Sequence, residues 1–279
     1  MESVPIQEEQ KPSWDIKYEK AQERIKESFW GDFVFGGLLI SGIFIIVDNL
    51  NFPQITNIIL GFLIIILAGF LMLGRLKWLK SIPNRINKKM VQSKIFFESS
   101  NYTKSLSYLE KIIKIDEKYD RVWNNKGMVL SKLGRREDAI ECYNKAIEIE
   151  EKFDLAWYNK GTVLFKLGKI DEAIKCLNKA IEIDEKFVFA WNNMGIILSK
   201  SGRKDEAIDC YNKAIEIEER YAHPWYNKAC IESLRNNKQT SLINLKKAIE
   251  IDNIFKEKAK LDPDFDNIRD SDEFKELTG

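Results

Sequence analysis

Histidine is all but missing from this chain: His223 is the only one in 279 residues. With a single imidazole there is no basis for a histidine-rich metal set, and none of the residues around it composes a His-containing triad. Glycine-rich phosphate-cradling motifs and a GxSxG elbow are lacking as well. The four cysteines include no CxxC pair, and three of them, Cys142, Cys176 and Cys210, stand 34 residues apart. That interval places them at one position of successive packed helices, whose axes lie about 8–10 Å apart, too far for easy bridging. They read as packed thiols of a reducing compartment. An excess of one charge is missing too, with 44 basic residues against 43 acidic ones. A nucleic-acid binder would concentrate positive charge on one face. The expectation is therefore no enzyme, no cofactor, no metal, no nucleic-acid partner and no small-molecule substrate.

What the chain does have is repetition. Trp123, Trp157, Trp191 and Trp225 are 34 residues apart, and Trp123–Phe153 is nearly restated by Trp191–Tyr221. A fixed period of this length marks helix–turn–helix units that bury an apolar face only against a neighbour. Starting a unit at Asp120 gives frames 120–153, 154–187 and 188–221, with a looser copy at 222–255 and a more degenerate one at 86–119. Small residues recur in register: Gly127, Gly161 and Gly195, then Ala139, Ala173 and Ala207, then Ala146, Ala180 and Ala214. They let helices approach closely, while the tryptophans and Leu130, Leu164 and Leu198 fill the space between. Gly134, Gly168 and Gly202 are expected to end the first helix of each unit, where positive φ is favoured.

These Trp, Gly, Ala, aromatic and Ala positions resemble the tetratricopeptide repeat. The resemblance covers residues 86–255 and implies an all-α α-solenoid of about five helix pairs. Departures stand at Lys126, Lys160 and Met194, where leucine is usual, and at Glu151, Glu185 and Glu219, where the family turns on proline. It also implies that first helices line a concave groove for extended peptides. Carried over, the groove would show Asn124, Asn125, Lys132, Tyr158, Asn159, Phe165, Lys166, Phe189, Asn193, Lys200 and Asn227. The asparagines would form a ladder for a peptide backbone and the lysines a positive row, a pairing suited to an extended partner with acidic and aromatic or aliphatic groups.

Ahead of the array lie two apolar stretches, Trp30–Val47 and Ile55–Leu73, long enough as helices to span about 27–29 Å, near a bilayer's hydrocarbon thickness. Arg75, Lys77, Lys80, Arg85, Lys88, Lys89 and Lys94 follow the second stretch, whereas the connector 48–54 has no basic residue. The positive-inside rule then predicts a transmembrane hairpin (30–74, spans 30–47 and 55–73) in a multi-pass cell-membrane protein with both termini and the array cytoplasmic. Residues 1–29 read as a cytosolic segment whose Trp14, Tyr18, Ala21, Ile25 and Phe29 make an amphipathic helix. Residues 75–85 read as a basic linker, and 256–279 as a capping helix, a Pro263 turn and an acidic tail. The function expected from all this is a membrane-anchored scaffold or adaptor that binds a protein or peptide partner in its groove. The alternative is an assembly or chaperone-type factor for membrane protein complexes.

Overall fold

The computed structural model describes residues 84–279, together with 67, 69, 74, 81 and 82. The chain falls into two units, and the described residues are helical in both: one unit ends at Glu117 and the other includes Lys118–Gly279.

In the first unit, helix α1 (84–98) is followed by α2 (Tyr102–Ile113) through a turn in which Ser100 takes a positive φ of 58°. The two helices meet at their smallest side chains. Ser93 Oγ donates to the Ser105 carbonyl at 3.0 Å, and Ser105 Oγ donates to the Ser93 carbonyl at 2.9 Å. A bulkier residue at either position would hold the backbones apart. Phe96 stacks on Tyr108, with ring centroids 5.6 Å apart.

The second unit is a run of antiparallel helix pairs. They are α3 (Asp120–Lys132) with α4 (Arg136–Ile149), α5 (Asp154–Lys166) with α6 (Ile170–Ile183), α7 (Val188–Lys200) with α8 (Lys204–Ile217), and α9 (Ala222–Leu234) with α10 (Lys238–Ile251). Between the helices of a pair, Gly134, Gly168 and Gly202 take φ of 79°, 77° and 80°. The amide of Arg135 reaches back to the Leu130 carbonyl at 2.9 Å, the six-residue return that closes a helix C-terminus on such a glycine. In the last pair Asn236 takes that conformation instead, at φ 61°, as asparagine tolerates better than other non-glycine residues.

The turns between pairs lack proline but have another fastener. Trp157 Nε1 donates to the Glu151 carbonyl at 3.0 Å, Trp191 Nε1 to Glu185 at 2.9 Å, and Trp225 Nε1 to Glu219 at 3.0 Å. Each indole pins the first turn of its helix to the turn before it.

Packing between pairs shows an alternation. An aromatic ring fills the inner space from the second helix at Tyr143 and Tyr211, and from the first helix at Tyr158 and Tyr226, all nearly inaccessible. Where the tyrosine sits on the first helix, the second helix carries a leucine, Leu177 or Leu245; where it sits on the second, the first carries Asn124 or Asn192. Each pair keeps one inner ring and only its source changes. The core runs without interruption across unit boundaries, from Tyr158 and Leu177 to Ile197 and Tyr211. Each aliphatic side chain so enclosed contributes about 1.5–3 kcal/mol relative to exposure.

The array closes on α11 (Ile254–Leu261), a 3-10 turn at Pro263–Phe265 and α12 (Asp272–Thr278). Phe255, Phe265 and Phe274 form the aromatic plug of this end, each at most 2 % exposed.

The membrane expectation is corrected. Among the described residues no helix is long and apolar enough to cross a membrane, which overturns the multi-pass placement and its inside–outside assignment. The stretches 30–47 and 55–73, apart from Leu67 and Gly69, lie outside the described residues, as does the amphipathic segment 14–29.

Candidate functional site

The first helices α3, α5 and α7 end at Lys132, Lys166 and Lys200, whereas α9 ends at Leu234, so a lysine recurs at three successive levels of the array. The eleven residues expected along this face divide sharply by exposure. Asn124, Asn125, Tyr158, Asn159, Asn193 and Asn227 are buried, none more than 4 % accessible. Lys132, Phe165 and Phe189 are half-buried, and Lys166 and Lys200 are exposed.

The asparagines bond across unit boundaries rather than to solvent. Asn159 Nδ2 donates to Asn124 Oδ1 at 3.0 Å, Asn193 Nδ2 to the Tyr158 hydroxyl at 2.9 Å, and Asn227 Nδ2 to Asn192 Oδ1 at 3.1 Å. Each bond spans one unit plus one residue. The ladder is a seam between repeats, and its side chains fix the angle at which neighbouring first helices meet. The carbonyl oxygens of Asn159, Asn193 and Asn227 have no partner and are sealed off from water, so each seam bond comes with a costly buried acceptor.

The accessible face is carried by other groups. Lys200 Nζ lies 5.5 Å from the Phe165 ring centroid, so the lysine of one unit covers the aromatic of the unit before. Partial burial lowers the Lys200 pKa, while Asp264 opposes that shift. Phe189 extends the surface through an edge contact with Tyr221 at 5.4 Å. Leu155 and His223 stand at the same level in the neighbouring units and are also half-buried. Neither is among the eleven expected residues, although the sequence allows His223 as a turn or groove-lining residue and puts Leu155 in 34-residue register with Phe189.

The thiols do not form a site. All four cysteines are free and buried, and desolvation pushes Cys142 up to about 11 and Cys210 up to about 12. Thiols held this far above neutrality carry almost no thiolate and react slowly. At the closing end, ligand-type atoms of Cys230, Asp262 and Asp264 lie within 4.8 Å of one another. Their polar atoms are used internally: Tyr226 donates to Asp262 Oδ2 at 2.6 Å, and the Asp264 amide donates to Asp262 Oδ1 at 3.1 Å. Lys258, whose pKa is lowered mainly by burial, supplies nearby positive charge. This is a self-satisfied cap.

The tetratricopeptide repeat profile matches residues 121–153, 155–187 and 188–221. No protein of curated function matches the sequence. Among solved structures, the crystal structure of MamA is similar at 20% identity, covering 58% of this chain and 95% of MamA, with a TM-score of 0.52. MamA residues 41 to the end from Desulfovibrio magneticus RS-1 are similar at 16% identity, 61% and 96% coverage and a TM-score of 0.54. The APC/C hetero-tetramer Cut9–Hcn1 is similar at 15% identity over 61% of this chain and 34% of that one, with a TM-score of 0.54. At these identities the likeness is one of fold. Profile, 34-residue period and helix-pair geometry agree: residues 121–221 carry three consecutive tetratricopeptide repeats.

Proposed function

We propose that the helical array is a binding scaffold, with no catalytic role, for an extended protein segment bearing acidic and aromatic or aliphatic side chains. One observation carries this reading: the accessible first-helix face presents Lys132, Lys166 and Lys200 at one per unit, and Lys200 lies over Phe165. A row of cations spaced by the repeat and interleaved with half-buried apolar side chains favours a linear ligand of opposite charge. Stacked helix pairs provide the extended surface such a ligand needs. The buried asparagines support the site indirectly, by setting the spacing of the helices that present it.

The test is binding of a labelled peptide of alternating glutamate and phenylalanine, followed by anisotropy at two salt concentrations. Lys166→Glu combined with Phe165→Ala is expected to weaken binding about tenfold or more, since aromatic and charged anchors dominate such surfaces. Tyr158 is unsuitable for this purpose, because its buried ring belongs to the core. Lys175→Glu, on the exposed side of α6, is the control. Equal weakening by the control, or affinity insensitive to salt, would remove the lysine row from the reading.

A further inference from the structure

The tryptophan-pinned turns carry a second surface of opposite sign. Each inter-repeat turn holds two acids and one base: Glu150, Glu151 and Lys152, then Asp184, Glu185 and Lys186, then Glu218, Glu219 and Arg220. Along α7, Trp191 and Lys200 are nine residues apart, about 13 Å, so this edge is well separated from the lysine row. Between α6 and α8 the surface opens into a cleft of about 650 Å³. Its apolar lining is Ile181, Trp191 and Ile217.

The cleft is also lined by Glu182, Glu185 and Glu216 against Lys186 and Lys213, one negative charge in excess. Two of these acids are already engaged, Glu182 with Lys179 at 2.6 Å and Glu216 with Lys213 at 2.8 Å. The Glu185 side chain is exposed beside Trp191, whose indole N–H is tied to the Glu185 carbonyl.

What sets this tryptophan apart is the residue three positions on. Lys126 lies over Trp123 with its ammonium 5.5 Å from the ring centroid, and Lys160 over Trp157 at 5.3 Å. The equivalent of these lysines beside Trp225 is Lys228, which bonds Asn212 at 2.9 Å. Beside Trp191 the position is Met194, buried in the core. Among the described residues, then, Trp191 has no lysine in the register that supplies a cation to Trp123 and Trp157. Indole faces attract cations through the ring quadrupole.

We propose that the Trp191 cleft binds a basic side chain, lysine or arginine, of a partner polypeptide, with the indole taking the aliphatic stem and cation and Glu185 supplying the countercharge. The cleft is independent of the first-helix surface. It gives the array two edges of opposite preference.

The test uses the full-length chain with 15N-labelled tryptophan, in which the indole N–H resonance of Trp191 is assigned by Trp191→Phe. The probe is an N-acetylated glycine-lysine-glycine amide, compared with the same peptide carrying norleucine. The lysine peptide is expected to shift the Trp191 resonance saturably and the norleucine peptide to leave it in place. Glu185→Gln should weaken the lysine peptide about threefold, the range of a single exposed ion pair. Met194→Lys, which restores the register of Lys126 and Lys160, should abolish the shift; helicity by circular dichroism checks its folding, and the exposed Glu185 variant stands alone if it fails. Equal shifts with norleucine, equal shifts at Trp157 and Trp225, or no shift at all would each overturn the proposal.

Discussion

The Tyr226 hydroxyl donates to the Asp262 carboxylate at 2.6 Å, one residue beyond the place where the seam of the array would put an asparagine. The seam runs from each unit to the residue 35 positions on, as from Tyr158 to Asn193. From Tyr226 that count arrives at Leu261, which is 85 % exposed. Asp262 therefore substitutes for the missing amide and ends the series with a charge-assisted bond. Its backbone carbonyl also accepts from Arg269 at 2.7 Å, tying the cap to itself.

Replacing Asp262 by alanine is expected to cost about 1.5–3 kcal/mol, the range for hydrogen bonds to a charged group. The urea midpoint should fall, and amides of α12 should exchange faster than those of α5. Asp270→Ala, at an exposed position, should leave both unchanged. An unaltered midpoint in the Asp262 variant would mean that the aromatic plug alone holds the cap.

The seam itself is open to a double-mutant cycle at Asn192 and Asn227. Asn227→Ala strips the donor from a buried Asn192 Oδ1 and should cost about 1–3 kcal/mol. Removing both asparagines together should cost less than the two single changes summed, because no half-satisfied partner is left behind. Additive losses would show that the 3.1 Å contact contributes nothing to the pairing of α7 and α9.

Two glycines at the same repeat position should respond differently to alanine. A Cβ at Gly195 would strike the Tyr211 ring, whereas one at Gly161 would meet the Ala173 carbonyl oxygen at 3.1 Å and Cys176 and Leu177 at 3.2 Å, tight but short of a clash. Gly195→Ala is expected to destabilise by about 1–3 kcal/mol through overpacking. At Gly161 the gain in helix propensity, about 1 kcal/mol, offsets most of the crowding. Thermal unfolding of the two variants side by side decides this, and equal losses would sink it.

His223 gives the array a pH dependence of definite sign. Burial, and then the positive charge of Lys258, hold its pKa below the ordinary 6.5. Its ring is wedged between Tyr221 and Phe255, with centroids 5.2 Å from each. Below pH 6.5 the unfolded chain takes up a proton that the folded chain refuses, so stability should fall as pH drops from about 7 towards 5. The His223→Gln variant should lose that part of the slope in urea midpoints measured across this window. A wild-type slope retained in the variant would assign it to other groups.

Much of this architecture was legible in the chain because repetition multiplies weak signals. Gly134, Gly168 and Gly202 each announce a turn, and three copies in register leave little freedom for another reading. Chemistry was harder to read than architecture. Asn125, Asn159, Asn193 and Asn227 form a regular polar column, and a column of polar residues looks like a ligand surface until neighbouring helices are laid against it. Burial depends on inter-unit angles that no single unit encodes. The indole bonds to Glu151, Glu185 and Glu219 were hidden for a related reason: loss of proline is visible in the sequence, while the side chain that takes over its task acts through a backbone carbonyl, which every residue has.

The alternating source of the inner aromatic ring means that neighbouring units are not interchangeable parts. The true building block is 68 residues, from Asp120 to the eve of Val188, and the array holds two of them in tandem. Excising 154–221 would join Tyr143 to Tyr226 in the same phase as the native join of Tyr143 to Tyr158. Excising 154–187 alone would put Asn192 in the place where Tyr158 natively follows Tyr143, so that joint would lose its second ring, although Asn193 would meet Asn124 as Asn159 does. An array of this kind lengthens or shortens cleanly by pairs of units, and a change of one leaves a mismatched joint.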